Sequence, residues 1–334
     1  MSFSQLKLLV YIPTYTDHKL AAAQAKRLRT EFQSREIQLW IAISVNSVNL
    51  SDQDLSELEN LSDKLIHFSE NLGGDTNINL GFISALSEQA DFFWILSAND
   101  VLLPGAARKV QTALENSKAD MLIISSSRNE QLGFLESAFS GASTQLPLGL
   151  ISAVIYRCSV FRESFASALK FAWTGWGQLS VIQNALFAVN SLSYEIINED
   201  QIYERGSDTS SDEQLKKNQS NYRHSFFGYP LVVALLFRSD KRIQNKIIRK
   251  WLWGNWYKIG FYKKGHSPYL ESGETNRDVF WTEALARPFI LKSGLASPLL
   301  YMFGNSVALA QLQDKKLLRL AKDIVYPRQK NHTT

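Results

Sequence analysis

The sequence predicts an α/β fold in which a parallel sheet carries helices on both faces, followed by a mostly helical C-terminal region. Three observations lead there. Strand-like and helix-like patterns alternate through the first 130 residues, the signature of a sheet built from strand–helix–strand units. The strand-like runs are continuously apolar, as strands buried on both faces are. From residue 225 onward the pattern is mostly helical.

The elements follow in order. LKLLVYIPT (6–14) is an apolar run closed by Pro13. HKLAAAQAKRLRTEF (18–32) is rich in helix formers with a basic polar face. IQLWIAISV (37–45) is the second strand, and residues 50–64 read as an acidic helix starting at Ser51, with Asp54 placed for a capping box. KLIHFS (64–69) is the third strand, and the loop ENLGGDTN leads to a helix over 78–89. The strand in DFFWILSAND is followed by a helix over 105–117 and the strand ADMLIISSS (119–127). Further on, 149–161 reads as a strand pair or a strand plus turn. ESFASALKFA and LSVIQNALFAV read as helices separated by WTGWGQ (173–178), and SYEIIN (193–198) as a strand. Residues 204–224 are polar and read as a loop, a place where function often sits. The expected division is 1–200 for an α/β domain, 201–224 for a polar, mobile loop and 225–334 for a helical region.

Composition narrows the class. The chain has 334 residues, 45% hydrophobic and 20% charged, the balance of a globular protein. Its one cysteine, Cys158, rules out a disulfide framework or a thiolate metal site and fits a reducing, cytoplasmic setting. The first residues lack a basic stretch and a small-residue cleavage site, so no signal peptide is expected. The longest apolar run, PLVVALLF (230–237), is well short of the ~20 residues of a membrane-spanning helix. Net charge is only +4, but residues 238–264 hold nine Lys or Arg against Asp240 alone, interleaved with Trp251, Trp253, Trp256, Tyr257, Phe261 and Tyr262. Such a segment suits an anionic membrane interface, with aromatics at headgroup level. No RNP-like motif or zinc finger accompanies it, so nucleic acid is not the expected partner.

Polar residues stand where the apolar strands end: Thr14 and Tyr15, Asn46 and Ser47, Glu70 to Asp75, and Ser97 to Asp100. Ligands of parallel sheets bind beyond the carboxyl ends of the strands, so these ends mark a cleft. GxGxxG after the first strand, GxxxxGK[ST] and GxSxG are all absent from the sequence, as is a His/Cys cluster with zinc spacing.

YIPTY, the polar end of strand two, NLGGDTNINLGF and FFWILSANDVLLPGA together resemble family-2 glycosyltransferases of the GT-A fold, over roughly residues 6–110. Beyond residue 150 the chain looks more distantly like O-antigen and capsule transferases. The resemblance implies a Rossmann-like nucleotide-diphospho-sugar transferase domain. Pro13, Thr14 and Tyr15 would match the base-holding segment, and Asn46 the place of a nucleoside-binding Asp. Gly73, Gly74 and Asn79, with Asn71, would match the loop and helix start beside the nucleotide. Leu96, Ser97, Asn99 and Asp100 would fall on the metal-binding segment. It implies an inverting transfer onto a lipid-linked saccharide at the cytoplasmic face of the membrane.

The sequence departs from that family twice. The two acids usual in the metal-binding segment are Ser97 and Asn99, leaving Asp100. Either Asp100 alone anchors Mg²⁺ or Mn²⁺, or Arg205, Arg223 and His224 neutralise the diphosphate. The Glu-Asp pair expected to supply a general base is Gly177 and Gln178. Candidate bases are then Glu70, Asp75, Glu199 and Asp200, while Trp173, Trp176 and Gln178 would shape the acceptor side. A relative without catalysis, serving as a scaffold subunit, would show the same losses. A nucleotidyltransferase would need a Gly-rich basic loop after strand one, and PTYTDHK is not one.

Overall fold

The computed structural model describes residues 5–15, 17–46, 50–126, 132–134, 148–205, 223–256, 259 and 273–305. The chain divides into two compact units, Met1–Ser211 and Asp212–Thr334.

In the first unit, β1 (Leu6–Thr14) lies parallel to β2 (Ile37–Val45), in register from Leu6 opposite Ile37 to Thr14 opposite Val45. β3 (Lys64–His67) continues the sheet beyond β2, and β4 (Phe92–Ile95) flanks β1 on its other side, both parallel. Parallel neighbours need crossovers, supplied by α1 (His18–Glu31), α2 (Asp52–Leu61) and α3 (Gly74–Ser87). After β4 come β5 (Asp100–Leu102), α4 (Ala106–Asn116), β6 (Met121–Ser125), β7 (Leu132–Phe134) and β8 (Val154–Arg157). Then follow α5 (Cys158–Phe161), α6 (Ala166–Lys170), α7 (Gly177–Val189), β9 (Ser193–Asn198) and β10 (Tyr203–Arg205). The main sheet runs β3-β2-β1-β4-β8-β6-β9-β7, and β5 pairs with β10 in a separate ribbon.

Side-chain alternation along β1 distributes the core. Leu8, Val10 and Ile12 share a cluster with Ala21, Ala25 and Leu28 of α1 and Ala107, Val110 and Leu114 of α4. Tyr11 points to the other face, against Gly81 of α3. Aromatic rings fill that face: Phe82 meets Phe93 edge-on at 5.2 Å between centroids, and Tyr156 meets Phe161 likewise at 5.2 Å. Edge-to-face pairs of this kind add to area burial.

Several elements differ from the sequence expectation. The sheet is mixed, because β8 inserts antiparallel to both β4 and β6, and β7 is antiparallel to β9. β8 is a buried apolar run like its neighbours, so nothing in its own residues encodes its direction. Of the two readings for 149–161, a strand pair or a strand plus turn, the structure has a 3₁₀ turn at 151–153 leading into β8, and the helix expected over 163–172 is broken into 3₁₀ turns around α6. α3 starts at Gly74 rather than at 78. Gly73 turns the chain with φ +80°, a conformation side chains disfavour, and Asn77 is drawn into the helix by bonds to β1 and β2. Residues 203–205 form β10 and residues 223–224 open a helix, where the polar loop was expected; residues 206–222 of that loop lie outside the described residues. The Ser51 cap is as expected: its hydroxyl accepts from the Asp54 N–H at 3.1 Å and donates to the Asp54 carboxylate at 2.6 Å.

The second unit contains α8 (Arg223–Leu236), α9 (Lys241–Asn255), α10 (Gly273–Lys292) and α11 (Ser297–Asn305). Phe227, Leu231, Ile248, Leu252, Ile290 and Tyr301 form its core. Asp240 caps α9, accepting from the N–H groups of Arg242 and Ile243. The buried Glu283 carboxylate is held by Arg287 at 2.6 and 2.9 Å and by the Tyr301 hydroxyl. Among the described residues, no helix is long and apolar enough to cross a membrane.

Candidate functional site

The polar strand ends gather along the carboxyl edge of β1, β2 and β4. Thr14 closes β1; its hydroxyl is buried and has no hydrogen-bond partner. Pro13 sits within the strand, opposite Ser44. Tyr15, the next residue out, is half exposed.

Beside Thr14 the edge is closed by a network of amides. The Asn46 carbonyl accepts from the Leu72 N–H at 2.7 Å, while its amide donates to Asn71 Oδ1 at 2.8 Å and to the Gly73 carbonyl at 3.3 Å. Asn71 Oδ1 also accepts from the Gly73 N–H. One turn into α3, Asn77 Oδ1 accepts from Ser44 Oγ at 2.5 Å and from the Tyr11 hydroxyl at 3.2 Å. Asn46 and Asn77 are 2% and 3% exposed, so their amides are spent on the protein. Burial pushes the Tyr11 phenol above its ordinary value, with the Ser44 hydrogen bond opposing. An amide that both donates and accepts is required at Asn46; a carboxylate could only accept. The Asn46 side chain thus forms a clasp that fixes the loop carrying Gly73 and the start of α3 at Gly74.

The segment after β4 is organised differently. Ser152, from the 3₁₀ turn before β8, accepts from the Ser97 N–H at 2.9 Å and donates to Asp100 Oδ2 at 2.5 Å. Its carbonyl accepts from Trp94 Nε1 at 2.9 Å, which anchors it to β4. Ser97 Oγ in turn accepts from the Asn99 N–H at 3.3 Å. From α1, the buried Gln24 donates to the Asp100 carbonyl and accepts from the Leu102 N–H at 3.0 Å, and Arg27 donates to the Leu102 carbonyl. The side chain of Asn99 is exposed. Nothing in the local sequence around Ser152 or Gln24 marks them for this role; their partners lie 52 and 76 residues away in the chain.

Arg205 stands directly opposite Asp100 in the β5–β10 ladder. Arg223 and His224 open α8, in the other unit. Glu199 and Asp200 lie on the 3₁₀ turn that joins β9 to Ile202 and β10, and the Ile202 carbonyl accepts from the Leu103 N–H at 2.9 Å. Asp75 is in the first turn of α3 and Glu70 in the loop before it. At the expected acceptor side, Trp173 is 48% exposed, with its indole N–H donated to the Lys170 carbonyl. Trp176 packs its ring against Gly149, and Gln178 donates to the Gly149 carbonyl at 2.9 Å. Asn79 is 1% exposed and its Oδ1 has no partner. A Cβ on Gly177 would lie 2.1 Å from that oxygen, so α7 starts on a glycine for reasons of space. Burial pushes the Cys158 thiol up to about 12, which leaves it unreactive.

A divalent ion in a GT-A site needs hard anionic oxygens. At Ser97, Asn99 and Asp100 there is one carboxylate, one of whose oxygens accepts from Ser152. Among the described residues, no three His, Cys, Asp or Glu side chains gather as a metal site. At this segment the described residues do not by themselves make a divalent-metal centre.

Solved structures supply the comparison that decides the fold. The chain is similar to S. aureus TarS 1-349, with a TM-score of 0.54 and 12% identity, over 95% of this chain and 92% of that one. It is also similar to the same fragment in complex with UDP-GlcNAc, with a TM-score of 0.52 and 12% identity over the same shares. This chain has the GT-A fold. A longer structure of S. aureus TarS matches over 90% of this chain and 54% of its own length, with a TM-score of 0.50 and 11% identity, so the chain spans about half of it. No family model matches the sequence, and no curated protein matches it.

Proposed function

We propose that the GT-A unit binds a nucleotide-diphospho-sugar and transfers the sugar, by a single displacement with inversion, to a hydroxyl of a lipid-linked saccharide in surface polysaccharide synthesis. The observation that carries this is the carboxyl edge of the sheet: an unpartnered buried hydroxyl at Thr14, a clasped loop at Gly73 and an exposed Asn99 beside Asp100. Polar groups at adjoining strand ends of an open α/β sheet are placed for a ligand. The solved structure of a protein with this fold in complex with UDP-GlcNAc supports a nucleotide-sugar as that ligand.

Thr14 and Tyr15 hold the nucleoside, and Asn99 and Asp100 face the diphosphate. Glu199 or Asp200 serves as general base, since their turn leads directly into the strand paired with Asp100's. The exposed ring of Trp173 and the half-buried Trp176 offer flat apolar faces to a saccharide. In the second unit, Lys241, Arg242, Lys246, Arg249 and Lys250 are exposed on α9 and form its basic, membrane-facing side. Desolvation, with the neighbouring charge of Lys246, holds the Lys250 ammonium below its ordinary value, a shift that the negative potential of an anionic lipid surface would oppose. The protein then works at the inner face of the cell membrane.

A thermal-stabilisation series with UDP, GDP, CDP and dTDP tests the core of the proposal, because a ligand held by the folded state alone raises the melting temperature. One diphosphate is expected to give a shift. Its absence for all four, in the presence of a saccharide acceptor as well, removes the nucleotide-sugar reading. A scaffold role is the second reading, favoured by the start of α7, where Gln178 is spent on the Gly149 carbonyl and no acid is present. Diphosphate binding without sugar turnover would decide for it.

A further inference from the structure

We propose that the diphosphate is held without a divalent cation, and that Asp100, instead of ligating a metal, locks the turn that presents Asn99. This rests on the nucleotide-sugar reading of the same site and adds how the charge of the ligand is met.

Three features point there. Asp100 is committed to the protein. Its carboxylate takes a 2.5 Å hydrogen bond from Ser152, its carbonyl takes one from Gln24, and its backbone is laddered to Arg205. A cation at Oδ2 would compete with the Ser152 hydroxyl, which also holds the Ser97 N–H and so fixes the course of the turn. Next, the two neighbouring positions are neutral. Compared with the acids of the resembling family, Ser97 and Asn99 remove two negative charges, the same change in net charge as adding one divalent cation. A diphosphate approaching Asp100 alone meets far less repulsion than one approaching three acids. Finally, the side chain of Asn99 is exposed and makes no hydrogen bond to a described residue. Its amide N–H groups can donate to phosphate oxygens, which a carboxylate at this place would repel.

Titration calorimetry of the full chain with UDP, GDP, CDP and dTDP, in chelator and then in excess Mn²⁺ or Mg²⁺, separates the possibilities. The diphosphate that binds is expected to do so with a Kd that changes less than about threefold between the two conditions. Tightening of about tenfold or more on adding either ion overturns the metal-free site while leaving the nucleotide reading intact. No binding of any diphosphate in either condition overturns that reading, and this inference with it. Asn99→Asp provides the second arm, on an exposed side chain whose replacement leaves the fold in place. It is expected to weaken binding about tenfold in chelator and to recover with Mn²⁺, because a second carboxylate recreates the need for a cation. An Asn99→Asp protein that binds as tightly as the parent in chelator overturns the role given to the Asn99 amide.

Discussion

The two sides of the candidate site are built on opposite principles. On the β1–β2 side, Asn46, Asn71 and Asn77 spend their amides on backbone and on each other, and Asn46 and Asn77 are almost wholly buried. On the β4–β5 side, the backbone is clamped by Ser152, Gln24 and Arg27, yet Asn99 itself remains exposed. One side spends its polar side chains on architecture; the other clamps its backbone and leaves a polar side chain exposed. Polar residues at a strand end are therefore not all left available to a ligand, and their hydrogen-bond partners decide which are.

The sharpest way to break this comparison is Asn46→Asp, which installs the acid that the resembling family usually carries. A buried carboxylate would face Asn71 Oδ1 and the Gly73 carbonyl with no proton to donate. Leaving a buried charge uncompensated costs about 3–5 kcal/mol, so denaturant unfolding should show a loss of that order at neutral pH. If stability is unchanged, the clasp is not closed as described. Next in size is Gly177→Ala, whose Cβ would press on Asn79 Oδ1 and, at 2.7 Å, on the Ala168 carbonyl. Overpacking of this kind costs about 1–3 kcal/mol, read as a lowered midpoint with unchanged m-value.

Ser152→Ala addresses the other side. It leaves the Ser97 N–H and the Asp100 carboxylate without their shared hydroxyl, at a site 1% exposed. The expected loss is about 1–2 kcal/mol, together with weaker diphosphate binding, because the turn carrying Asn99 loosens. Lost stability with unaltered binding would separate the clamp from the site.

The smallest effect belongs to the opposite edge of the sheet and serves as the control. Lys64 and Lys7 bond the Glu88 carboxylate at 2.8 and 3.4 Å. The Lys64 hydrogen bond, ahead of the opposing desolvation and the charge of Lys64, holds Glu88 below its ordinary value. A depressed folded-state value contributes stability that is complete above the unfolded glutamate value of about 4.3 and is lost as pH falls through the folded one. Lys64→Met should cost about 0.5 kcal/mol at neutral pH and flatten that acid limb in unfolding curves taken between pH 3 and 7, leaving diphosphate affinity untouched.

The sequence by itself determined the strand–helix alternation of the first 120 residues, the Ser51 cap and the polar ends of β1, β2 and β4. These are local properties: hydrophobic period, cap chemistry and the point where an apolar run stops, each written within a few neighbouring residues. Tertiary structure alone decided that β8 runs antiparallel, that Tyr203–Arg205 pairs with β5, and that α3 starts at Gly74. It also decided that Asn46 is a clasp and that Ser152 holds Asp100. A strand buried on both faces has the same composition whichever way it runs. A polar side chain is structural or available for a ligand according to groups 26 to 52 residues away, and that distance is closed only by the folded chain.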